Sequence, residues 1–233
     1  MVRSTKREVL GAVLSAVVAG VVVVAIAVGI ATAAPHQAAL VATTSGTVTI
    51  QGKTYPHSFL QLATFPDSMF GLRGASGGAH PDWVSYSNDN LVVPANSAVT
   101  VTVRQYDTGG TPNNVYFASV VGTVGGTETV EGRPVRSIPV NDVAHTLTLR
   151  TIAGNAPNIY LNIPLPAVSA SAPNTIHIGS GVYPTPQVVT FTFITKGKGV
   201  YQWNCEYPCG DSVAGFGGAM STYGYMSGTL TVS

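Results

Sequence analysis

Charge of either sign is scarce in this 233-residue chain, where Asp, Glu, Lys and Arg together make up 9% of the residues, against roughly a quarter in an average soluble domain. With 45% hydrophobic residues beside so little charge, the chain is not a charge-rich disordered segment. Lys+Arg number 11 against 10 Asp+Glu, a formal net charge of +1. The cationic surplus that neutralises phosphates is therefore missing, which excludes nucleic acid as an expected partner. Gly215-Phe216-Gly217-Gly218 lacks the Lys-Ser/Thr and the following helix of a phosphate loop. No motif identifies a small-molecule substrate or a catalytic residue, and no internal repeat is seen.

What is present begins with a long uncharged run. Arg3, Lys6 and Arg7 precede residues 9–34, which contain no charged residue. That run exceeds the ~20 apolar residues a helix needs to cross a bilayer. A cleaved signal peptide is the alternative, since Ala31-Thr32-Ala33 offers a small-x-small site, but its apolar region is usually only about 7–15 residues long, which favours an uncleaved anchor. The N-terminal cations hold residues 1–8 in the cytoplasm. The expected topology is a single pass of the cell membrane, with everything after residue 34 on the extracytoplasmic side.

Beyond the anchor the pattern alternates. Val99, Val101 and Val103 alternate with Thr100, Thr102 and Arg104, and Val143, His145, Leu147 and Leu149 alternate with Ala144, Thr146, Thr148 and Arg150. These are half-buried strands. Further strands are expected at Thr47–Ile50, Val115–Val121, Val188–Ile194, Gly199–Asn204 and Thr229–Val232, each bounded by turn residues. Many short strands with turns between them indicate a sandwich or barrel. Residues 35–46 read as a linker, residues 47–90 as an N-terminal strand and loop extension, and residues 91–233 as the main domain. Six prolines between 151 and 187 exclude a helix there and break any long strand.

Both cysteines, Cys205 and Cys209, lie in a loop between two expected strands, and Met226 follows at the start of the last one. Two thiolates and a thioether suit copper, zinc or iron–sulfur, and a trigonal site of two histidines and one cysteine with a weak axial methionine is the electron-transfer copper arrangement. Strand alternation puts His145 on the inward face, where a histidine needs a partner. That partner is either a backbone carbonyl or a metal.

At these residues the sequence resembles the cupredoxins, in particular the copper domain of cytochrome c oxidase subunit II. Three stretches carry the likeness: residues 91–101, then Asn141–Leu147 with His145, then Val189–Phe193 running through Gly199–Gly210 to the closing Gly224–Val232. The resemblance covers roughly residues 91–233. It implies an all-β, Greek-key β-sandwich, preceded here by a single N-terminal transmembrane helix. It also implies copper held by His145, Cys205 and Met226, with Cys209 as a further ligand at the Cys-x₃-Cys spacing of a dinuclear centre. One departure stands out. The family's second histidine would fall at Val213, and no histidine follows His177. Met220, Glu206, His57 and His80 are the substitutes on offer.

The expected function is copper binding and one-electron transfer near a respiratory oxidoreductase, with a redox protein as partner and membrane attachment through residues 9–34. Such a protein is an electron carrier or an oxidase accessory subunit rather than a stand-alone enzyme. The competing reading is a metal-free cupredoxin fold in which Cys205 and Cys209 form a disulfide, as cysteines do in oxidising compartments, and which serves as a structural or partner-binding module.

Overall fold

Alternation between apolar and small polar residues builds two sheets face to face. In the computed structural model, the residues described are 38–66, 69, 83–109, 114–152, 157–178, 181–210, 217–220, 222 and 224–233. The expected anchor at 9–34, His80 and Val213 lie outside them. Among the described residues no helix is long and apolar enough to cross a membrane.

The strands are β1 (Leu40–Val41), β2 (Thr43–Ile50), β3 (Lys53–Phe65), β4 (Ser85–Tyr86), β5 (Asn90–Val93), β6 (Ala98–Gln105), β7 (Glu128–Val130), β8 (Arg133–Val135), β9 (Val143–Thr151), β10 (Tyr160–Pro166), β11 (Asn174–Ile178), β12 (Gly181–Pro184), β13 (Gln187–Ile194), β14 (Gly199–Asn204) and β15 (Ser227–Val232). One sheet runs β1-β5-β15-β14-β9-β10, and the facing sheet runs β2-β3-β6-β13-β7-β8 with β4 paired to β3. Strands β11 and β12 form a separate two-stranded hairpin.

The core lies between the two large sheets. On β6, Val99, Val101 and Val103 are buried while Thr100 and Thr102 are only half-buried, as alternation requires. Opposite them across β13 stand Phe193, Phe191 and Val189, all buried. Leu147 and Leu149 of β9, Trp203 of β14 and Leu230 of β15 close the core from the other sheet. The outer face of β6 and β13 is stitched by hydroxyl pairs, Thr100 to Thr192 at 2.7 Å and Thr102 to Thr190 at 3.3 Å.

Four sequence expectations change here. Residues 40–46, read as linker, already carry β1 and the start of β2. Residues 47–90, read as a strand and loop extension, contribute β3 to the sandwich itself, where it pairs in parallel with β6 from His57↔Ala98 to Thr64↔Gln105. Residues 36–233 form one unit, so the expected boundary at 90/91 does not separate domains. Val115–Val121 is a turn with isolated bridges, Ser119 to Ser137 and Val121 to Asn162. A side chain adds to its main-chain bonds: Asn162 Nδ2 donates to the carbonyls of Phe117 and Ser119. This crossing segment lies against β10, and every residue of β9 from Val143 to Leu149 is buried.

The prolines expected to break strands are accommodated at an edge. Pro164 and Pro166 sit on β10, the last strand of its sheet, where a missing amide donor costs no ladder bond.

A glycine is required where β15 passes Trp203. Gly228 faces Trp203 directly, and a Cβ built on it would fall 2.0 Å from the Asp89 carbonyl oxygen and 2.6 Å from the indole. Gly228→Ala is therefore expected to cost about 2–3 kcal/mol or more, at the upper end for overpacking a filled core. A denaturant-midpoint measurement checks this, and an unchanged midpoint would show that the two sheets have room to part here.

Candidate metal centre

The end of β9 nearest its start and the turn that follows β14 meet at the edge of the core. His145 is the third residue of β9, and Cys205 directly follows β14, whose Asn204 lies opposite Thr148. Both side chains are buried, at 1% and 0% exposure. Sγ of Cys205 lies 3.9 Å from Nδ1 of His145, and the backbone amide of Thr146 donates to the same sulfur at 3.4 Å. Cys209, four residues on in the same turn, completes a group of three in which all ligand atoms lie within 4.8 Å of one another.

Each donor is held from behind. Nε2 of His145 is bonded to Oδ2 of Asp107 at 2.8 Å, which leaves Nδ1 to face the sulfurs. The Cys205 amide donates to the Met226 carbonyl at 2.8 Å, and the Met226 amide donates to the Ala219 carbonyl at 3.3 Å. The Cys205 turn is thereby tied to the segment that leads into β15. Sγ of Cys209 approaches Sδ of Met220 at 3.0 Å. Tyr86 forms a wall of the same region. Its hydroxyl donates to the Thr146 carbonyl at 2.9 Å and its ring packs edge-on to Trp203, 4.8 Å between centroids.

This packing sets the charges. Burial alone would raise the Cys205 thiol, but hydrogen bonds from Cys209 and His145 and the His145 charge hold it well below its ordinary value. Cys209 goes the other way, pushed well above its ordinary value by burial and by the neighbouring Cys205. Burial alone would lower His145, yet its bonds to Asp107 and Cys205 raise it to about 9. Burial would raise Asp107, and its hydrogen bond with His145 outweighs this and lowers it. Cys205 is thus the more acidic thiol of the pair, and it faces the imidazole.

A single ion fits between these donors. Metal–ligand bonds of about 2.0 Å to nitrogen and 2.3 Å to sulfur sum to more than the 3.9 Å between Nδ1 and Sγ, so one ion can touch both. Imidazole with soft thiolate and thioether donors suits copper. The ring nitrogen that is not a ligand carries the carboxylate partner common to metal-bound histidines.

The residues expected from the sequence divide into two groups. His145, Cys205 and Cys209 converge, and both cysteines are free thiols in this structure. Met220 lies against Cys209, and Met226 is buried and joined to Cys205 through the main chain. Glu206 is committed elsewhere, accepting from Arg150 Nη1 and from Asn204 Nδ2, both at 2.8 Å. His57 sits on the outer side of the opposite sheet, with Nε2 bonded to Thr100 at 2.8 Å and its ring 4.2 Å from that of Phe59, and His177 is exposed on β11. Neither is a substitute for the missing histidine.

Asp107, which bonds His145, is a site residue that sequence reasoning missed. No local signal reveals its role, because the His145 pairing joins the end of β6 to the start of β9 across 38 positions.

No family model matches the chain, and no curated protein matches it. Among solved structures, auracyanin B is 15% identical with a TM-score of 0.34, the match covering 82% of this chain and 97% of that one. The copper protein rusticyanin is 14% identical with a TM-score of 0.32, covering 76% and 78%, and a histidine-to-methionine variant of rusticyanin is 13% identical with a TM-score of 0.32, covering 88% and 90%. Overlap at that level carries no argument, so the functional reading rests on this chain's own sheets and donor atoms.

Proposed function

We propose that this domain is cupredoxin-like, holds copper between His145, Cys205 and Cys209, and exchanges one electron at a time with a redox protein at the outer face of a membrane. The convergence of one imidazole nitrogen and two thiol sulfurs within 4.8 Å carries the reading. Copper bound there would supply a one-electron couple. The chain's own contribution is to hold the donors still: His145 on a strand buried along both faces, Cys205 pinned by the Thr146 and Met226 main chains. A frame that moves little between oxidation states keeps the reorganisation small. Cys209 and Met220 are only half-buried, so this side of the centre is the one open to a partner.

The thioether donor is one of two methionines. The 3.0 Å approach of Met220 to Cys209 supports Met220, and the main-chain link to Cys205 supports Met226. Within the cupredoxins, the Cys-x₃-Cys spacing favours a centre of the subunit II type. The uncharged run at 9–34 favours a single-pass anchor that keeps the carrier beside membrane oxidoreductases.

The deciding experiment is anaerobic copper titration of the full chain in detergent after reduction, read by visible absorption and electron paramagnetic resonance. Stoichiometric uptake with an intense cupric charge-transfer band is expected. No uptake, with the two thiols found joined to each other in protein isolated from its native membrane, would overturn the reading in favour of a disulfide-closed, metal-free module. Met220→Ala and Met226→Ala then identify the thioether, since only the ligand's loss shifts the band.

A further inference from the structure

We propose that Asp107 is the positioning residue of this centre: its carboxylate fixes the His145 ring with Nδ1 toward the two sulfurs, and its charge biases the centre toward a divalent over a monovalent ion. The inference rests on the metal-binding reading above and goes beyond it, because it assigns the charge preference of the centre to a residue that is not a ligand.

Three observations carry it. First, the contact is close and sheltered: His145 Nε2 to Asp107 Oδ2 is 2.8 Å, with side-chain exposures of 1% and 17%. Second, Asp107 is clamped. Its amide donates to Gln105 Oε1 at 3.1 Å, its carbonyl accepts from Gln105 Nε2 at 3.2 Å and from the Val168 amide at 2.9 Å, and its Oδ1 accepts from the Gly109 amide at 3.3 Å. Gln105 is itself buried and bonded to Thr64 of β3, so the acid is referred to the facing sheet and does not swing as a surface side chain would. Third, the chain behind it lies flat against β9. Gly109 has φ +80°, and a Cβ there would come within 2.9 Å of Ala144 Cα and 3.1 Å of Ala167 Cβ, next to His145 in sequence. Only glycine allows residues 107–109 to approach β9 this closely.

The consequence for charge follows from Coulomb's law. At a fixed distance a carboxylate attracts a divalent ion twice as strongly as a monovalent one, and the attraction is less screened in a buried site than in water. Removing the charge while keeping the shape therefore weakens divalent ions more than monovalent ones. Loss of ring positioning alone would weaken both alike.

The test uses the full chain in detergent and three probes: cupric ion, zinc ion and, under anaerobic conditions, cuprous ion. Asp107→Asn keeps size and an acceptor oxygen but removes the charge. It is expected to weaken cupric and zinc binding by roughly 10-fold or more, the range for outer-shell partners of a metal ligand, and cuprous binding by much less. A 10-fold change in the cupric-to-cuprous affinity ratio raises the midpoint potential by about 59 mV. Asp107→Glu, which keeps the charge, is expected to retain the divalent preference even where displacement of the ring lowers all three affinities, and it gives the same comparison if the Asn variant folds poorly. Equal losses for all three ions in Asp107→Asn, or no loss, would overturn the charge assignment while leaving the metal reading intact. Failure of the wild-type chain to take up either cupric or zinc ion would overturn the metal reading, and this inference with it.

Discussion

Cys205→Ser is expected to abolish the cupric charge-transfer band completely and to lower cupric affinity by at least ~100-fold, the upper end of what loss of a mere outer-shell partner costs. Cys205 is the thiol at the centre whose pKa is held below its ordinary value, by its hydrogen bonds with Cys209 and His145 and by the His145 charge. The thiolate is the soft ligand that a hydroxyl cannot replace. The fold is expected to survive. Serine is close in size, its oxygen can accept the Thr146 amide that now points at the sulfur, and the Cys205 amide keeps its bond to the Met226 carbonyl. A stability loss of about 1–2 kcal/mol is expected, in the ordinary range for a single substitution. The disulfide reading predicts a different pair of results. There, Cys205→Ser and Cys209→Ser would remove the same bond, cost equal stability and change no spectrum. Absorption spectra of the copper-treated wild type and variant, recorded beside denaturant melts of both cysteine variants, separate the two readings. Identical spectra would sink the copper assignment.

Glu128→Gln should flatten the dependence of stability on pH and leave a chain more stable than wild type in alkaline solution. Glu128 opens β7 and is buried at 2% exposure, and neither carboxylate oxygen has a hydrogen-bond partner among the described residues. Burial raises its pKa from 4.5 to about 8. Between those two values the folded chain keeps a proton that the unfolded chain has released, so stability falls as pH rises across that window. Below about 4.5 the carboxyl is neutral in both states and costs nothing extra; above about 8 the full penalty stands. At about 1.4 kcal/mol per pKa unit, that penalty is on the order of 4–5 kcal/mol. The amide of the variant is also buried, and an unmet hydrogen bond costs it about 1–3 kcal/mol at every pH. The clean prediction is therefore the slope. Denaturation at pH 4 and pH 9 should show the stability difference between variant and wild type growing by several kcal/mol in favour of the variant. An equal difference at both pH values would mean that Glu128 is ionised in the folded chain and has a partner outside the described residues.

How far the sequence spoke depended on whether the information was local. Strands β6, β13 and β14 were legible nearly to the residue because Val99-x-Val101-x-Val103 and Phe191-x-Phe193 alternate cleanly under the core. Strand β3 was not. Its inward positions are Ser58, Leu60, Leu62 and Thr64, and the two hydroxyl residues are satisfied by Ser97, just before β6, and Gln105, at its end, so half of its apolar period is written in polar letters. The hairpin turns were obscured in a similar way. Gln51-Gly52 joins β2 to β3 and Glu131-Gly132 joins β7 to β8, with Gln51 and Glu131 both at φ 49°, where Asn or Asp would have given the readable two-residue turn. The error at Val115–Val121 has the opposite origin. The stretch reads as a strand by composition, but it forms a turn in which the Phe117 and Ser119 carbonyls accept from the Asn162 side chain rather than from a neighbouring strand.

By itself, the sequence determined the all-β character, the inward direction of His145 and the grouping of Cys205, Cys209, Met220 and Met226 in one C-terminal stretch. All of these follow from spacing along the chain and from the period of a strand. The tertiary structure alone decided that Cys209 and Met220 touch, that Glu206 turns away to Arg150, that residues 53–65 belong to the sandwich, and that Asp107 stands behind His145. Those facts depend on the register and packing of strands brought together by burial of a common core, and separation along a chain carries no record of that distance.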